Sequence, residues 1–406
     1  MRLNFNLESF IKDHVTFREE SLLQPDFDKY QTTLNQRINN KKVMVIGGAG
    51  TIGASYIKAI LKFNISKLVV IDINENGLTE LVRDLRSSPE YNIPDEFITY
   101  PVNFGDNVFE KIFHHHGPFE IVANFAAHKH VRSEKDIFSI EAMIENNVLR
   151  ARKLLDLLLQ YPPEHFFCVS TDKAANPVNI MGASKKLMEE MIMAYSDKLP
   201  IKTARFANVA FSNGSLPLGF LERFNKLQPW SCPLGIRRFF VSPQESGELC
   251  LIASILGESG DIFFPKLDEN KDMIPFDLIA MDLLKTLGLT ADICQSEDQA
   301  KQKASMLNAT STSYPIYFFG SDTSGEKSFE EFYTKIEVLD NDSFINLGVI
   351  KNSTKRDVKE IDEIFEKLKY LFESKNINKA AIVEILKSYL PNFEHIETGK
   401  GLDSKM

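Results

Sequence analysis

Residues 42–73 read KVMVIGGAGTIGASYIKAILKFNISKLVVIDI: an apolar run, a glycine turn, a stretch with helical spacing, and a second apolar run ending in Asp72. Few folds accept that order. A strand apolar on both faces belongs inside a parallel sheet covered by helices, and the strand–helix–strand repeat forces a crossover connection. Further buried strands are predicted at 120–127, 165–170 and 201–209, with helical stretches between them. These predict an α/β chain with a doubly wound parallel sheet of the Rossmann type, over 41–210 and completed by about 240–265. After Asn208 the order becomes irregular, and residues 212–243 read as turn-rich, with a helix following in QESGELCLIASILG and a short strand in DIFFP. This predicts a smaller interleaved substrate-binding region over 211–239 and 266–340. Residues 1–40 predict a helical N-terminal extension. Apolar positions from Val358 to Phe372 recur at spacings of three and four, and a second such stretch stops at Pro391, so 341–406 predict a helical C-terminal extension.

Gly47, Gly50 and Gly53 lie between strand and helix, where glycines permit the tight turn, close pyrophosphate approach and close helix packing. Free N–H groups of the following helix would face the phosphates. Asp72 ends the second strand about 20 residues on, where a carboxylate takes ribose hydroxyls. The next residues, INEN, supply no arginine for a 2′-phosphate, so NAD is preferred to NADP. Lys129 and His130 follow a predicted strand at its carboxyl end, where open sheets bind ligands; each is a site residue or a supporting group.

Net charge of −9 argues against a general nucleic-acid binder, which needs a basic face. Four scattered cysteines form no C-x-x-C pair, consistent with a reducing cytoplasm. No apolar run is long enough to span a bilayer and no signal-peptide pattern opens the chain, which predicts no membrane insertion. His114, His115 and His116 are adjacent, and three neighbouring side chains do not readily converge on one ion, so no metal is expected.

The glycine turn, NFAAHKHVRSEKD, STDKA followed by P-x-N-x-M-G-A-S-K, RFANVAFSNGS, IRRFF and SGEKSFEE occur in that order. Together they resemble the extended short-chain dehydrogenase/reductases, and more narrowly the UDP-N-acetylglucosamine 4,6-dehydratases of the polysaccharide-biosynthesis group, over roughly 41–335. The resemblance implies an active site at Thr171, Asp172, Lys173, Met181 and Lys185. It implies a cofactor set of Gly47, Gly50, Thr51, Ile52, Gly53, Asp72, Asn103, Ala126, Ala127 and Lys185, and a UDP-sugar held by Lys129, His130, Asn208, Ser215 and Arg237 or Arg238. Met181 stands where many members carry tyrosine, and in the methionine subgroup carbon 5 of the product keeps its configuration. A homo-oligomer is expected. Two places depart from the pattern: Asn103 stands where an acidic residue usually follows the third strand, and GSDTSGEK lacks the usual arginine before its last element.

Such a site would pass hydride from carbon 4 to NAD, eliminate water across carbons 5 and 6, and return hydride to carbon 6. The 4-ketone acidifies the carbon 5 proton, so a base is needed there and an acid at the departing hydroxyl. Lys173 is the candidate base and Asp172 the candidate acid, which requires the lysine to lose a proton and the carboxyl to keep one. Lys185 would reach the nicotinamide ribose. Met181 offers no exchangeable proton, so water, Thr171 or the Asp172–Lys173 pair must relay the one that tyrosine would take. Two other readings fit a bound NAD: a nucleotide-sugar 4-epimerase, and a catalytically silent NAD-binding module, which would not need Lys173 or Lys185. Taken singly, each lysine reads as a surface residue and Met181 as core filler; their joint spacing argues otherwise.

Overall fold

The computed structural model describes residues 5–130, 134, 136–308, 310–320, 331–351, 353, 355–374 and 377–395. Helix α1 (Leu7–Ile11) runs into a π turn at Lys12–Thr16, and α2 (Gln24–Ile38) buries Leu34 and Ile38 completely. The alternating unit begins at β1 (Lys42–Ile46), α3 (Thr51–Ile60), β2 (Lys67–Asp72), α4 (Glu75–Ser87), β3 (Glu96–Pro101), α5 (Asn107–His116) and β4 (Ile121–Asn124). It continues through α6 (Ile137–Ile144), a π turn at Glu145–Leu149, α7 (Arg150–Gln160), β5 (His165–Val169), a 3-10 turn at Asp172–Ala174, α8 (Ile180–Ala194) and β6 (Ile201–Ala204).

Val43, Met44, Val45, Leu68, Val69 and Val70 are each fully buried, because both faces of β1 and β2 are covered. Each such side chain is worth about 1.5–3 kcal/mol, which fixes these strands at the centre. Register follows directly: Val43 pairs Leu68 on one side and Ile121 on the other, both parallel. The chain winds outward from β1 to β3, then returns to lay β4 on the opposite side of β1. The carboxyl ends of β1 and β4 therefore flank a switch point, the usual crevice for a ligand in such sheets.

Beyond β6 come β7 (Asn208–Val209), α9 (Leu216–Asn225), β8 (Trp230–Pro233), β9 (Arg237–Val241), α10 (Pro243–Leu256), β10 (Ile262–Pro265), β11 (Met273–Pro275) and α11 (Phe276–Thr286). Then follow β12 (Thr290–Cys294), α12 (Glu297–Ala304), β13 (Ser313–Phe319), β14 (Leu339–Asp340), β15 (Leu347–Ile350), α13 (Val358–Glu373) and α14 (Lys379–Tyr389). The main sheet has the order β14-β15-β10-β6-β5-β4-β1-β2-β3, and small sheets β11-β9-β7 and β12-β13-β8 lie apart from it. Two apolar cores result. One fills the main sheet and its helices; the other gathers Phe10, Ile11, Val15, Phe211, Phe220, Trp230, Phe240, Leu283 and Tyr314.

The span read as turn-rich, 212–243, is corrected by the structure: it contains α9, β8 and β9. Ser215 caps α9 with its side chain and Pro217 sits in the first turn, both helix-start signals masked by the surrounding glycines and prolines. The strands β12 and β13, for which the sequence pattern gave no strand, pair parallel in the smaller sheet. The polar stretch before β13 holds a helix, α12, at 297–304. Ile361, Ile364, Phe365 and Leu368 of α13 are buried in the main core, as their spacing requires.

Candidate active site

The glycine turn is shaped by contact on every side except one. Gly47 has φ +77°, and a Cβ there would meet Ala126 N at 2.5 Å, so the loops leaving β1 and β4 touch at this point. A Cβ on Gly53 would meet Gly47 O at 2.2 Å, which seats α3 directly on the turn. A Cβ on Gly50 would meet only Gly47 O, at 3.4 Å, leaving that side open for a phosphate. Asp72 Oδ2 accepts from Ala49 N and Oδ1 from Asn74 N, both at 2.9 Å, placing the carboxylate beside the turn. These features fit a dinucleotide. Thr51 and Ile52 are half-buried on the first turn of α3, and Thr51 Oγ1 accepts from Asn213 N at 2.9 Å. Ala126 N donates to Asn124 Oδ1 at 3.0 Å, Ala127 is half-buried, and Asn103 Oδ1 accepts from Gly105 N at 2.9 Å.

At the mouth of β5, three donors converge on one oxygen. Asp172 Oδ1 accepts from Thr171 Oγ1 at 2.8 Å, Lys173 N at 2.9 Å and Lys173 Nζ at 3.1 Å. Asp172 is buried and Lys173 half-buried, so the ammonium lies at the rim. The pair is held as an ion pair, with the carboxylate accepting, whereas acid and base work needs the proton on the other partner.

Lys185 is 3% exposed and donates to Val169 O at 3.1 Å. Burial lowers its ammonium below the usual lysine range. Met181, one helical turn earlier, is 2% exposed, and its N–H donates to Glu134 Oε1 at 3.0 Å. Ser184 Oγ donates to Met181 O at 2.7 Å and accepts from Asn147 Nδ2 at 3.2 Å. Asn147 also brackets His128, accepting from its N–H at 2.8 Å and donating to its carbonyl at 2.9 Å. One buried asparagine thus ties the β4 exit loop to α8. Sequence reading missed Asn147; its signal was a polar pair, Asn146–Asn147, inside an apolar helical stretch.

Lys129 and His130 are exposed at the exit of β4. The Lys129 ammonium is nevertheless pushed down by desolvation, and a Cβ on Gly214 would meet the His130 ring at 2.8 Å. Asn208, Arg237 and Arg238 share the small β11-β9-β7 sheet, in which Asn208 pairs Phe240. Asn208 Nδ2 donates to Phe239 O at 3.5 Å. Arg237, on the exposed face, donates to Met273 O at 3.2 Å, and Arg238 is 7% exposed and donates to Arg237 O at 2.9 Å. Ser215 is occupied in capping α9, accepting from Leu218 N at 3.4 Å. Val131, Arg132, Ser133 and Lys135 of the first motif, and 324–330 of SGEKSFEE, lie outside the described residues.

Beneath the site lies a buried charge cluster. Arg205, fully buried, donates to Glu189 Oε2 at 2.9 Å and to Glu337 Oε1 at 2.8 Å, while Ser170 Oγ donates to Glu189 Oε2 at 3.0 Å. Burial raises the Glu189 carboxyl, but Arg205 and Lys186 outweigh it and hold the group at about 2. Among the described residues no group of three metal-ligating side chains converges, and His116 shares a 2.8 Å hydrogen bond with the Tyr100 hydroxyl. No described helix is long and apolar enough to cross a membrane.

A family model described as "Polysaccharide biosynthesis protein" matches residues 43–352. The chain is 32% identical to an uncharacterized membrane protein of Methanocaldococcus jannaschii, over 56% of this chain and 67% of that one. It is 27% identical to the capsular polysaccharide biosynthesis protein CapD of Staphylococcus aureus over 63% of this chain, spanning only 42% of that protein's length. Two further relatives bear reaction names. A UDP-N-acetylglucosamine 4,6-dehydratase (inverting) of Campylobacter jejuni is 25% identical over 57% of this chain and 69% of its own. A UDP-glucose 4-epimerase of Rickettsia typhi is 27% identical over 82% and 98%. Among solved structures, Pen from Bacillus thuringiensis shares the fold, with TM-score 0.60 and 19% identity over 79% of this chain and 90% of that one.

Proposed function

This chain belongs to the polysaccharide biosynthesis protein family, and on that premise we propose that it is an NAD-dependent nucleotide-sugar 4,6-dehydratase acting on UDP-N-acetylglucosamine. The product would be a UDP-4-keto-6-deoxy-N-acetylhexosamine for surface polysaccharides. The observation that carries the reading is the Thr171–Asp172–Lys173 unit at the mouth of β5, with three donors on one carboxylate oxygen. A 4-epimerase needs only a group that takes and returns the 4-hydroxyl proton, since no proton leaves carbon 5 and no hydroxyl departs, so a second acid–base pair favours elimination.

Gly47, Gly50, Gly53 and Asp72 would hold NAD across the switch point, with Lys185 at the nicotinamide end. When bound, NAD would supply a hydride acceptor at carbon 4 and a hydride donor at carbon 6. The chain's own residues handle the protons. Met181 has no exchangeable hydrogen, so the 4-hydroxyl proton passes to Thr171 Oγ, which already donates to Asp172 Oδ1. Asp172 thereby gains the proton it needs as an acid. Lys173, whose ammonium must first release its proton to solvent, removes the carbon 5 proton as the free amine, and Asp172 protonates the departing carbon 6 hydroxyl, which leaves as water. Lys173 then returns a proton to carbon 5 as hydride arrives at carbon 6, and both side chains regain their starting states.

A methionine at 181 in place of a phenol favours retention at carbon 5, in line with the methionine-bearing subgroup that the sequence resembles. The test is product mass together with the proton couplings of the sugar, which tell a 4-epimer from unreacted substrate. The NAD-loaded protein is incubated with UDP-, GDP- and dTDP-hexoses; loss of one water from UDP-N-acetylglucosamine supports the reading. An isobaric product indicates the epimerase, and no turnover of any sugar indicates a silent module.

A further inference from the structure

Residues 5–38 lie before the matched family region and belong to both apolar cores. Phe10, Ile11 and Val15 sit in the smaller core, while Leu23, Leu34 and Ile38 sit in the main one. Phe10 meets Phe211 edge-on at 5.7 Å, and His14 Nδ1 lies 3.2 Å from Asp282 of α11. Arg18 stands where the segment crosses from one core to the other.

Its guanidinium bonds both sides of a corner. Nε donates to Glu245 Oε1 at 2.7 Å and Nη2 to Glu245 Oε2 at 2.9 Å, a two-pronged pair with 15% and 3% of the side chains exposed. The same fork reaches Phe240 O at 3.1 Å and Asp272 Oδ1 at 3.3 Å. Phe240 lies in β9 of the small sheet that carries Asn208 and Arg238; Glu245 sits in the first turn of α10, which belongs to the main core. Only Val241 to Gln244 separate them in the chain. Helix α10 is in turn fixed to the glycine-turn helix, for a Cβ on Gly247 would meet Ser55 O at 2.2 Å. Leu22 N also donates to Glu245 Oε1 at 2.9 Å, and Ser21 Oγ donates to Glu248.

We propose that Arg18 is a positioning residue for the nucleotide-sugar: it locks the β9–α10 corner and so fixes the small β11-β9-β7 sheet relative to the dinucleotide turn. The inference rests on the nucleotide-sugar reading for its ligand, but its mechanical part stands on the contacts alone. Freed of the clamp, the corner samples other angles, and if the competent arrangement falls to about a tenth of the population, apparent affinity for the diphosphate falls about tenfold. NAD, held by the turn itself, is unaffected.

The experiment uses the NAD-loaded full chain as wild type, Arg18→Ala and Arg18→Lys, the lysine keeping charge and stem but not the fork. UDP affinity is measured by calorimetry on the NAD-loaded chain and NAD affinity on the same chain stripped of NAD, and amide exchange is followed at 237–241 and 273–275 against 43–46. The expected result is UDP binding weakened about tenfold, NAD affinity within about twofold of wild type, and faster exchange at 237–241 and 273–275 alone. Should Arg18→Ala fail to fold, Arg18→Lys decides. Unchanged UDP affinity with unchanged exchange overturns the proposal, as does parallel loss of NAD binding with faster exchange everywhere. If wild type binds NAD but no UDP, the nucleotide-sugar reading fails, and exchange alone decides the clamp by the same contrast.

Discussion

Lys173 Nζ stands 3.1 Å from Asp172 Oδ1, close enough for one proton to be shared between base and acid. Two groups in such contact act as one unit, so removing either should cost nearly as much as removing both. Asp172→Asn and Lys173→Met should each lower water elimination by about 10²- to 10⁴-fold, and the double variant by little more. NMR of the sugar measures this, with NAD binding as the control for folding. A single variant keeping more than a tenth of wild-type elimination would remove that residue from the step.

Asp72 anchors the glycine turn through Ala49 N and Asn74 N, both at 2.9 Å, and is placed to take ribose hydroxyls. Hydrogen bonds to a charged group contribute about 1.5–3 kcal/mol each, so Asp72→Ala should weaken NAD by about 10- to 100-fold. Titration of NAD by calorimetry checks the figure. Gly53→Ala should instead act on stability, since its Cβ would meet Gly47 O at 2.2 Å. Overpacking of this kind costs about 1–3 kcal/mol and lowers Tm.

Asn147 satisfies both backbone groups of His128 and the hydroxyl of Ser184. Asn147→Ala leaves buried polar groups unmet at about 1–3 kcal/mol each, and should lower Tm and activity together. Asn147→Asp keeps an acceptor for His128 N–H but sets a buried carboxylate against the His128 carbonyl, so its Tm should fall at least as far as that of Asn147→Ala. Thermal melts of the three proteins at neutral pH make the comparison.

The Glu189 carboxyl, raised by burial but held by Arg205 and Lys186 at about 2 against its ordinary 4.5, links stability to acid. A depressed carboxyl contributes stability that is fully present above about pH 4.5 and is lost as pH falls toward 2, in total about 3 kcal/mol. Glu189→Gln cannot titrate, so the Tm gap between wild type and variant should be widest above pH 5 and shrink steadily below pH 4.5. A gap independent of pH would place the depressed carboxyl elsewhere.

Much of the main sheet was legible because KVMVI and KLVVID are apolar on both faces, a pattern that only a covered parallel strand satisfies. The glycine turn was legible for a similar reason: Gly47 and Gly53 are demanded by local geometry. The smaller lobe was not. Strand β8 pairs with β13 across 86 positions of the chain, Ile316 opposite Trp230, and Thr290–Cys294 exposes two of its five side chains, so no alternation marks it. At the site, the Asp172–Lys173 contact is between neighbours and could be read from the motif. Arg18–Glu245, Asn147–His128 and Arg205–Glu337 join residues whose proximity exists only after folding.

Solvent deuterium at carbon 5 separates water elimination from epimerisation in a single measurement. The NAD-loaded protein is given UDP-N-acetylglucosamine in deuterated water and the sugar is followed by NMR and mass spectrometry. Elimination by Lys173 and Asp172 yields a 6-deoxy-4-keto product that has lost water and carries deuterium at carbon 5, delivered by Lys173, with couplings showing retention. A 4-epimer that keeps its mass and its carbon 5 proton would contradict it.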